Sequence, residues 1–183
     1  MKLFLVIFFM LAASIGTAYL VLKSPAIKEA RMGADANILL ASSAFKDNGA
    51  IPEKYTCKGE NISPPLEISD VPEGTGSFAI IMHDPDAPSG DFTHWTIWNI
   101  DPSVTKFEEN IVPATATEGQ TEFGKMGYGG PCPPSGTHHY IFDLYALKTK
   151  LNLPAGSSRA QLETSMQGQI VAQTKLVGLV SAN

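Results

Sequence analysis

Basic residues are scarce in this chain, and nowhere do two of them stand side by side. The 183 residues include 13 Lys and Arg against 18 Asp and Glu, a formal net charge of −5. Without residues 1–22, which contain only Lys2, 12 basic and 18 acidic residues remain, a net charge of −6. An acidic body without a basic cluster is repelled by nucleic-acid backbones and by anionic lipid surfaces. The composition therefore argues against nucleic acid as a partner.

Cysteine is also scarce. The two cysteines, Cys57 and Cys132, lie 75 positions apart, which is neither a metal-finger spacing nor that of a redox pair. Outside the cytosol they can form one disulfide, worth roughly 4 kcal/mol in the chain-entropy model for so long a loop. Inside the cytosol they would be buried thiols, and the sequence leaves both alternatives open.

Charge is absent from residues 3–22, which lie between Lys2 and Lys23. At about 1.5 Å per residue, a helix of this length just spans a bilayer core of roughly 30 Å. The segment is either a signal peptide or an uncleaved membrane anchor; a buried core helix is a third alternative, and a late start at Met32 would give a cytosolic protein. We expect an exported protein, periplasmic or otherwise extracytoplasmic, that contacts a membrane only through this segment.

Residues 23–37 have no pattern and predict a linker, whereas residues 38–183 predict a mainly β domain. In the whole chain 13 prolines and 16 glycines, most of them set between short β-branched and aromatic runs, favour a β-sandwich or barrel with few helices. One helix is well marked, because Ser158 is an expected N-cap with Gln161 as its capping-box partner. Residues 38–45 open this domain, and the strongest predicted strands cover residues 77–82, 92–100, 139–147 and 170–180.

All four histidines fall in two segments, each of which joins a strong strand to a proline-rich turn. The first covers residues 83–95 and the second residues 129–140. An Asp, two His and a Tyr hydroxyl are suited to an oxyanion, because His and Tyr donate hydrogen bonds while Asp orients a ring or holds a cationic head group. The two segments therefore predict an anion-binding pocket.

Other interpretations of these residues stay open. The strand histidines can be satisfied within the core, with the Asp-Pro units only shaping turns. A nucleophilic Cys132 beside a histidine is another alternative, although the chain has no Gly-x-Ser-x-Gly elbow. A third alternative is a metal-dependent hydrolase with His83, Asp84, Asp86 and His94 as metal ligands. The usual His-x-His and His-Glu-x-x-His spacings are absent from the chain.

The motifs follow one another in a familiar order. They are Asp84-Pro-Asp-Ala-Pro88, a His94-Trp95 strand, Gly130-Pro131 with further prolines, and Gly136-Thr-His-His-Tyr140. From about residue 39 to residue 180 the chain resembles the phosphatidylethanolamine-binding protein family. Residues 55–66 and the Pro-Cys-Pro-Pro after Gly130 are similar to its bacterial, Raf kinase inhibitor-like branch.

The resemblance implies a β-sandwich with one or two short helices, and the uncharged run of residues 3–22 predicts a hydrophobic helix before it. It also implies a small pocket for phosphate-like anions and phosphoethanolamine head groups. It assigns Asp86 to shaping its loop, and it implies no cofactor, no metal and no catalytic residue. Two departures from the family are His139, where Arg is frequent, and an end at Asn183 without the C-terminal helix of animal members. The ligand-binding residues that it implies are Asp84, His94, Gly130, Pro131, His138 and Tyr140.

Since strand residues two apart share a face, His138 and Tyr140 should project together while His139 points away. We expect a non-enzymatic protein that binds a small phosphorylated or carboxylated ligand. Inhibition of a partner kinase or protease is a further alternative.

Overall fold

The computed structural model describes residues 37–182, so the predictions for residues 1–36 fall outside this range. No helix between residues 37 and 182 has the length and apolar character needed to cross a membrane. A short 3-10 helix covers Glu53–Tyr55, and one α-helix, α1, covers Arg159–Met166. The strands are β1 (Leu39–Ala41), β2 (Gly49–Ala50), β3 (Leu66–Ser69), β4 (Ser77–Asp84), β5 (Phe92–Ile100), β6 (Lys106–Phe107), β7 (Thr117–Glu118), β8 (Thr137–Leu147) and β9 (Ile170–Ser181).

The strands form two sheets. The larger sheet has the order β2-β9-β8-β4-β5-β7 and the smaller one the order β1-β3-β6. All neighbours are antiparallel except β2 and β9, which run parallel. Side chains from both sheets share one hydrophobic core, which includes Leu66 and Phe107 of the small sheet and Phe142 of the large one. The prediction of a mainly β fold with few helices is confirmed.

Two local features show how the sequence sets the bounds of these elements. Helix α1 begins where predicted, because the Gln161 N–H donates to Ser158 Oγ at 3.4 Å and the Ser158 N–H donates to Gln161 Oε1 at 2.9 Å. Strand β1 occupies only part of the opening segment of residues 38–45. It ends where Ser42 Oγ donates to the Pro65 carbonyl and accepts from the Ala44 N–H, a turn that competes with the strand.

Strand β4 is buried along its whole length because both faces of the large sheet are covered. Residues 78, 80 and 82 face the core between the sheets, whereas residues 79 and 81 pack in a second cluster with α1. Successive strand side chains point to opposite faces. Asp84 therefore continues the face between the sheets, and His83 continues the face on the side of α1.

Strand β5 contains a bulge at His94. Met82 pairs with Trp95 and His83 pairs with Thr93, so His94 is the extra residue between two registered pairs. Strict alternation would place His94 on the face of Trp98, in the cluster beside α1. The bulge redirects the ring to the face between the sheets, where it packs against Tyr140.

Candidate functional site

Asp84 and His138 form a buried pair at the end of the large sheet. His138 Nδ1 lies 2.7 Å from Asp84 Oδ2, and Asp84 Oδ1 accepts the Asp86 N–H at 2.9 Å. The two side chains are 4% and 8% exposed. Because an ionised carboxylate only accepts hydrogen bonds, Nδ1 of His138 carries a proton and Nε2 is the ring atom left for another partner.

His94 is held in the same manner, by a backbone carbonyl. Its Nδ1 donates to the Gly129 carbonyl at 2.7 Å, which again leaves Nε2 free of any partner among residues 37–182. The ring lies 5.1 Å from the ring of Tyr140, edge to face. Burial lowers the pKa of His94, against the weaker opposing effects of the Gly129 hydrogen bond and the Asp84 charge.

The Tyr140 hydroxyl is buried and has no hydrogen-bond partner within the part of the chain that the structure describes. Its ring stacks on that of His138 at a centroid distance of 6.5 Å, as expected for strand residues two apart. Burial raises the pKa of Tyr140, the Asp84 carboxylate raises it further and the Cys132 backbone lowers it, so both groups lie near the hydroxyl without a hydrogen bond of normal geometry. The hydroxyl is therefore a neutral donor on a ring that packs against both imidazoles, whose Nε2 atoms form no hydrogen bond within residues 37–182.

Gly130 and Pro131 lie beside these residues, but their polar backbone atoms already form hydrogen bonds within the protein. The Gly130 N–H donates to Asn61 Oδ1 at 2.7 Å, and the Pro131 carbonyl accepts the Cys57 N–H at 3.0 Å. A Cβ on Gly130 would lie 2.5 Å from Asn61 Oδ1 and 2.8 Å from the Tyr55 carbonyl, so only glycine permits this approach. These two residues form the wall of the site.

The cysteines belong to the same wall. Cys57 and Cys132 form a disulfide with a Cα–Cα distance of 5.5 Å. In this structure Cys132 therefore has no thiolate to act as the nucleophile considered above. Nor do three or more His, Cys, Asp or Glu side chains converge as metal ligands anywhere in residues 37–182.

Asp86 and His139 form an exposed hydrogen-bonded pair on the face of β8 opposite Tyr140. Asp86 Oδ2 accepts the His139 N–H at 2.8 Å and lies 2.7 Å from His139 Nδ1. The hydrogen bond from the His139 backbone lowers the pKa of Asp86, and that of the ring adds to it. Asp86 thus holds its loop to β8, and His139 points away from Tyr140.

Three residues near the site did not emerge from the sequence. Phe92 and Phe123 flank the His94 ring at centroid distances of 5.2 and 5.3 Å, and Asn61 holds Gly130. Phe92 stands two positions before His94, so strand alternation gave a signal for it. Phe123 and Asn61 come from distant loops and carry no local pattern.

Comparison with known proteins finds related chains. The family model described as phosphatidylethanolamine-binding protein matches residues 41–181. The UPF0098 protein of Methanothermobacter thermautotrophicus is 48% identical over 145 residues, which cover 76% of this chain and 96% of that protein. LppC of Mycobacterium tuberculosis, named as a candidate lipoprotein, is 38% identical over 143 residues, 77% of this chain and 71% of that one.

Two crystal structures have the same fold. A candidate phosphatidylethanolamine-binding protein homologue from Chlamydia trachomatis superposes with a TM-score of 0.78 at 37% identity, covering 81% of this chain and all of that one. YbcL of Escherichia coli, described as a member of the mammalian family, superposes with a TM-score of 0.76 at 34% identity and the same coverage. The matched length, the identity and the shared fold together show that this chain belongs to the phosphatidylethanolamine-binding protein family.

Proposed function

We propose that this protein binds a small phosphorylated or carboxylated compound at His94, His138 and Tyr140, and that it does so without catalysing a reaction. The observation that carries the proposal is the buried Tyr140 hydroxyl, which has no hydrogen bond within residues 37–182 and belongs to a ring that packs against two imidazoles with free Nε2 atoms. A buried hydroxyl without a hydrogen bond costs about 1–3 kcal/mol. An anion oxygen within reach of the hydroxyl would accept a hydrogen bond from it and relieve that cost.

The charge at the site comes from the histidines. In a neutral ring with the proton on Nδ1, Nε2 is an acceptor and repels an anion. A second proton turns Nε2 into a charged donor. The hydrogen bond of His94 goes to a neutral carbonyl and burial lowers the pKa of this ring, whereas His138 lies against the Asp84 carboxylate.

The surroundings strengthen such a bond. Phe92 and Phe123 pack on the His94 ring and reduce the access of water to one side of the site. Charge-assisted hydrogen bonds are stronger where the local dielectric is low. The site therefore suits the anionic end of a ligand better than an uncharged polar group.

The test is calorimetric titration of the full chain with inorganic phosphate between about pH 5 and 8, the range in which histidine charge changes. Affinity should rise as the pH falls, because protonated Nε2 atoms donate to the anion. Phosphate itself gains a proton near pH 6, so sulfate serves as the control for the protein's own contribution. An affinity for sulfate that is the same across this range would contradict the assignment of the histidines.

We propose further that the ligand is met outside the cytoplasm. The uncharged segment of residues 3–22 supports this, and so does the similarity to a protein named as a candidate lipoprotein. Protease added to intact cells with a permeabilised outer layer should digest the body of the chain, while a cytoplasmic marker survives. Protection of the body equal to that of the marker would contradict an extracytoplasmic location.

A further inference from the structure

A second polar network lies on the opposite face of β4, beside α1. The His83 imidazole, 8% exposed, contacts Asp91 Oδ1 through Nδ1 at 2.5 Å and Asp143 Oδ2 through Nε2 at 3.0 Å. Asp91 Oδ2 accepts from Arg159 Nη1 at 2.9 Å, and Arg159 Nε donates to Glu163 Oε1 at 2.7 Å. Five charged groups of alternating sign thus connect β4, β8 and α1.

These contacts fix the charge of His83. Ionised carboxylates only accept hydrogen bonds, so both ring nitrogens must donate and the ring is an imidazolium. Burial lowers the pKa of His83, but the hydrogen bonds to Asp143 and Asp91 outweigh burial and raise it above its ordinary value. Burial raises the pKa of Asp91, but the hydrogen bonds and charges of His83 and Arg159 lower it by more, so the pKa is below its ordinary value.

The groups around His83 come from every element packed against it, and negative charge predominates among them. They are Asp91 of the loop between β4 and β5, Asp143 and Tyr145 of β8, Arg159 and Glu163 of α1, His94 of β5, and Glu122, whose carboxylate accepts the Thr93 N–H. The four carboxylates outnumber the single guanidinium, so the surroundings favour the charged ring.

The loop of residues 85–91 joins β4 to β5, and Asp91 is its last residue. It directly follows Asp84, the last residue of β4, whose carboxylate orients His138 in the candidate site. The contact with His83 holds Asp91 against the sheet and thereby fixes the far end of the loop. It therefore limits the conformations of the backbone next to Asp84.

We propose that His83 is a positioning residue that, as an imidazolium, clamps Asp91 to the sheet through Asp143. A neutral ring can donate only one hydrogen bond, so its second nitrogen would face a carboxylate with a lone pair and one contact would be lost. Because the folded-state pKa is raised, the clamp is complete below the ordinary pKa and is lost as the pH rises through the folded-state value. The consequence for ligand binding rests on the proposed function above, whereas the clamp itself does not.

Amide hydrogen exchange of the full chain, followed by NMR, tests the clamp without any ligand. The reporters are the Asp86 N–H, which donates to Asp84, and the His139 N–H, which donates to Asp86. Their protection should fall about tenfold, the effect of one lost charge-assisted hydrogen bond, with the midpoint at which the His83 imidazole titrates. The Gly76 N–H, bonded to the Leu147 carbonyl at 2.7 Å at the far end of β4, should not respond.

Two variants separate the clamp from other titrations. In Asp143→Asn the new amide can donate to a neutral Nε2 while Nδ1 still donates to Asp91, so protection should no longer depend on the charge of His83. This variant leaves the His139 ring untouched, so a pH response that comes from His139 would persist in it. In His83→Ala protection at Asp86 should stay, at every pH, about tenfold below that of the wild type with a charged His83.

Three results would each overturn the proposal: a midpoint that differs from the titration of His83, a wild-type pH response in Asp143→Asn, or wild-type protection in His83→Ala. If His83→Ala does not fold, the midpoint and Asp143→Asn decide. Phosphate titration of the same samples keeps the two proposals apart. If the exchange pattern is as expected but phosphate does not bind, only the proposed function is refuted. If phosphate binds but the exchange pattern is missing, only the clamp is refuted.

Discussion

Removal of the Tyr140 hydroxyl should change stability and binding in opposite directions. The hydroxyl is buried and, within residues 37–182, no atom forms a hydrogen bond with it. Tyr140→Phe therefore removes an uncompensated polar group from the unliganded protein, while it also removes a donor from the site.

The magnitudes follow from the same contacts. Leaving a buried polar group unsatisfied costs about 1–3 kcal/mol, so its removal should raise the free energy of unfolding by about 1 kcal/mol after a small loss of packing. For a domain of this size that is a rise in Tm of about 4 °C. The lost neutral hydrogen bond to the anion should weaken phosphate binding by about 1 kcal/mol, or roughly fivefold.

Tyr128→Phe is the matched control, because the same substitution here removes a satisfied hydroxyl. Tyr128 Oη donates to the Tyr55 carbonyl at 2.9 Å. This variant should lose about 1 kcal/mol of stability and keep the wild-type affinity for phosphate. Thermal melting without ligand and calorimetry with phosphate, both on the full chain, give the two quantities for each variant.

A loss in the free energy of unfolding of Tyr140→Phe as large as that of Tyr128→Phe would contradict this prediction. That result would mean that the Tyr140 hydroxyl has a partner in the unliganded protein. An affinity equal to wild type would mean instead that the hydroxyl does not contact the anion.

Three further predictions concern the site and its wall. His138→Ala should weaken phosphate binding by about 1–3 kcal/mol in calorimetry, whereas His139→Ala, on the other face of β8, should bind almost as wild type; the reverse order would refute the residue assignment. Gly130→Ala should lower the free energy of unfolding measured in urea, because the added methyl overlaps backbone atoms, and unchanged stability would show that the wall can shift. Replacement of Cys57 and Cys132 by Ala should cost up to about 4 kcal/mol of stability in the same assay, and thiol labelling of unfolded, non-reduced protein should find no free cysteine.

Local patterns in the sequence determined those features that depend on neighbouring residues. The period of two in a strand placed His138 and Tyr140 on one face and His139 on the other, and the structure has this arrangement. The capping box defined the start of α1 in the same way, since Ser158 and Gln161 are only three positions apart.

The tertiary structure decided the features that depend on distant segments. The bulge in β5 turns His94 to the face of Tyr140, against strict alternation, because the register of β5 is set by its pairing with β4. The contact of Asn61 with Gly130 spans 69 positions, and the clamp around His83 joins Asp91 to Asp143 on another strand. A single sequence determines local geometry through short-range sterics and hydrogen bonds, whereas which polar groups are paired and which are left free follows only from the packing of segments that are far apart in the chain.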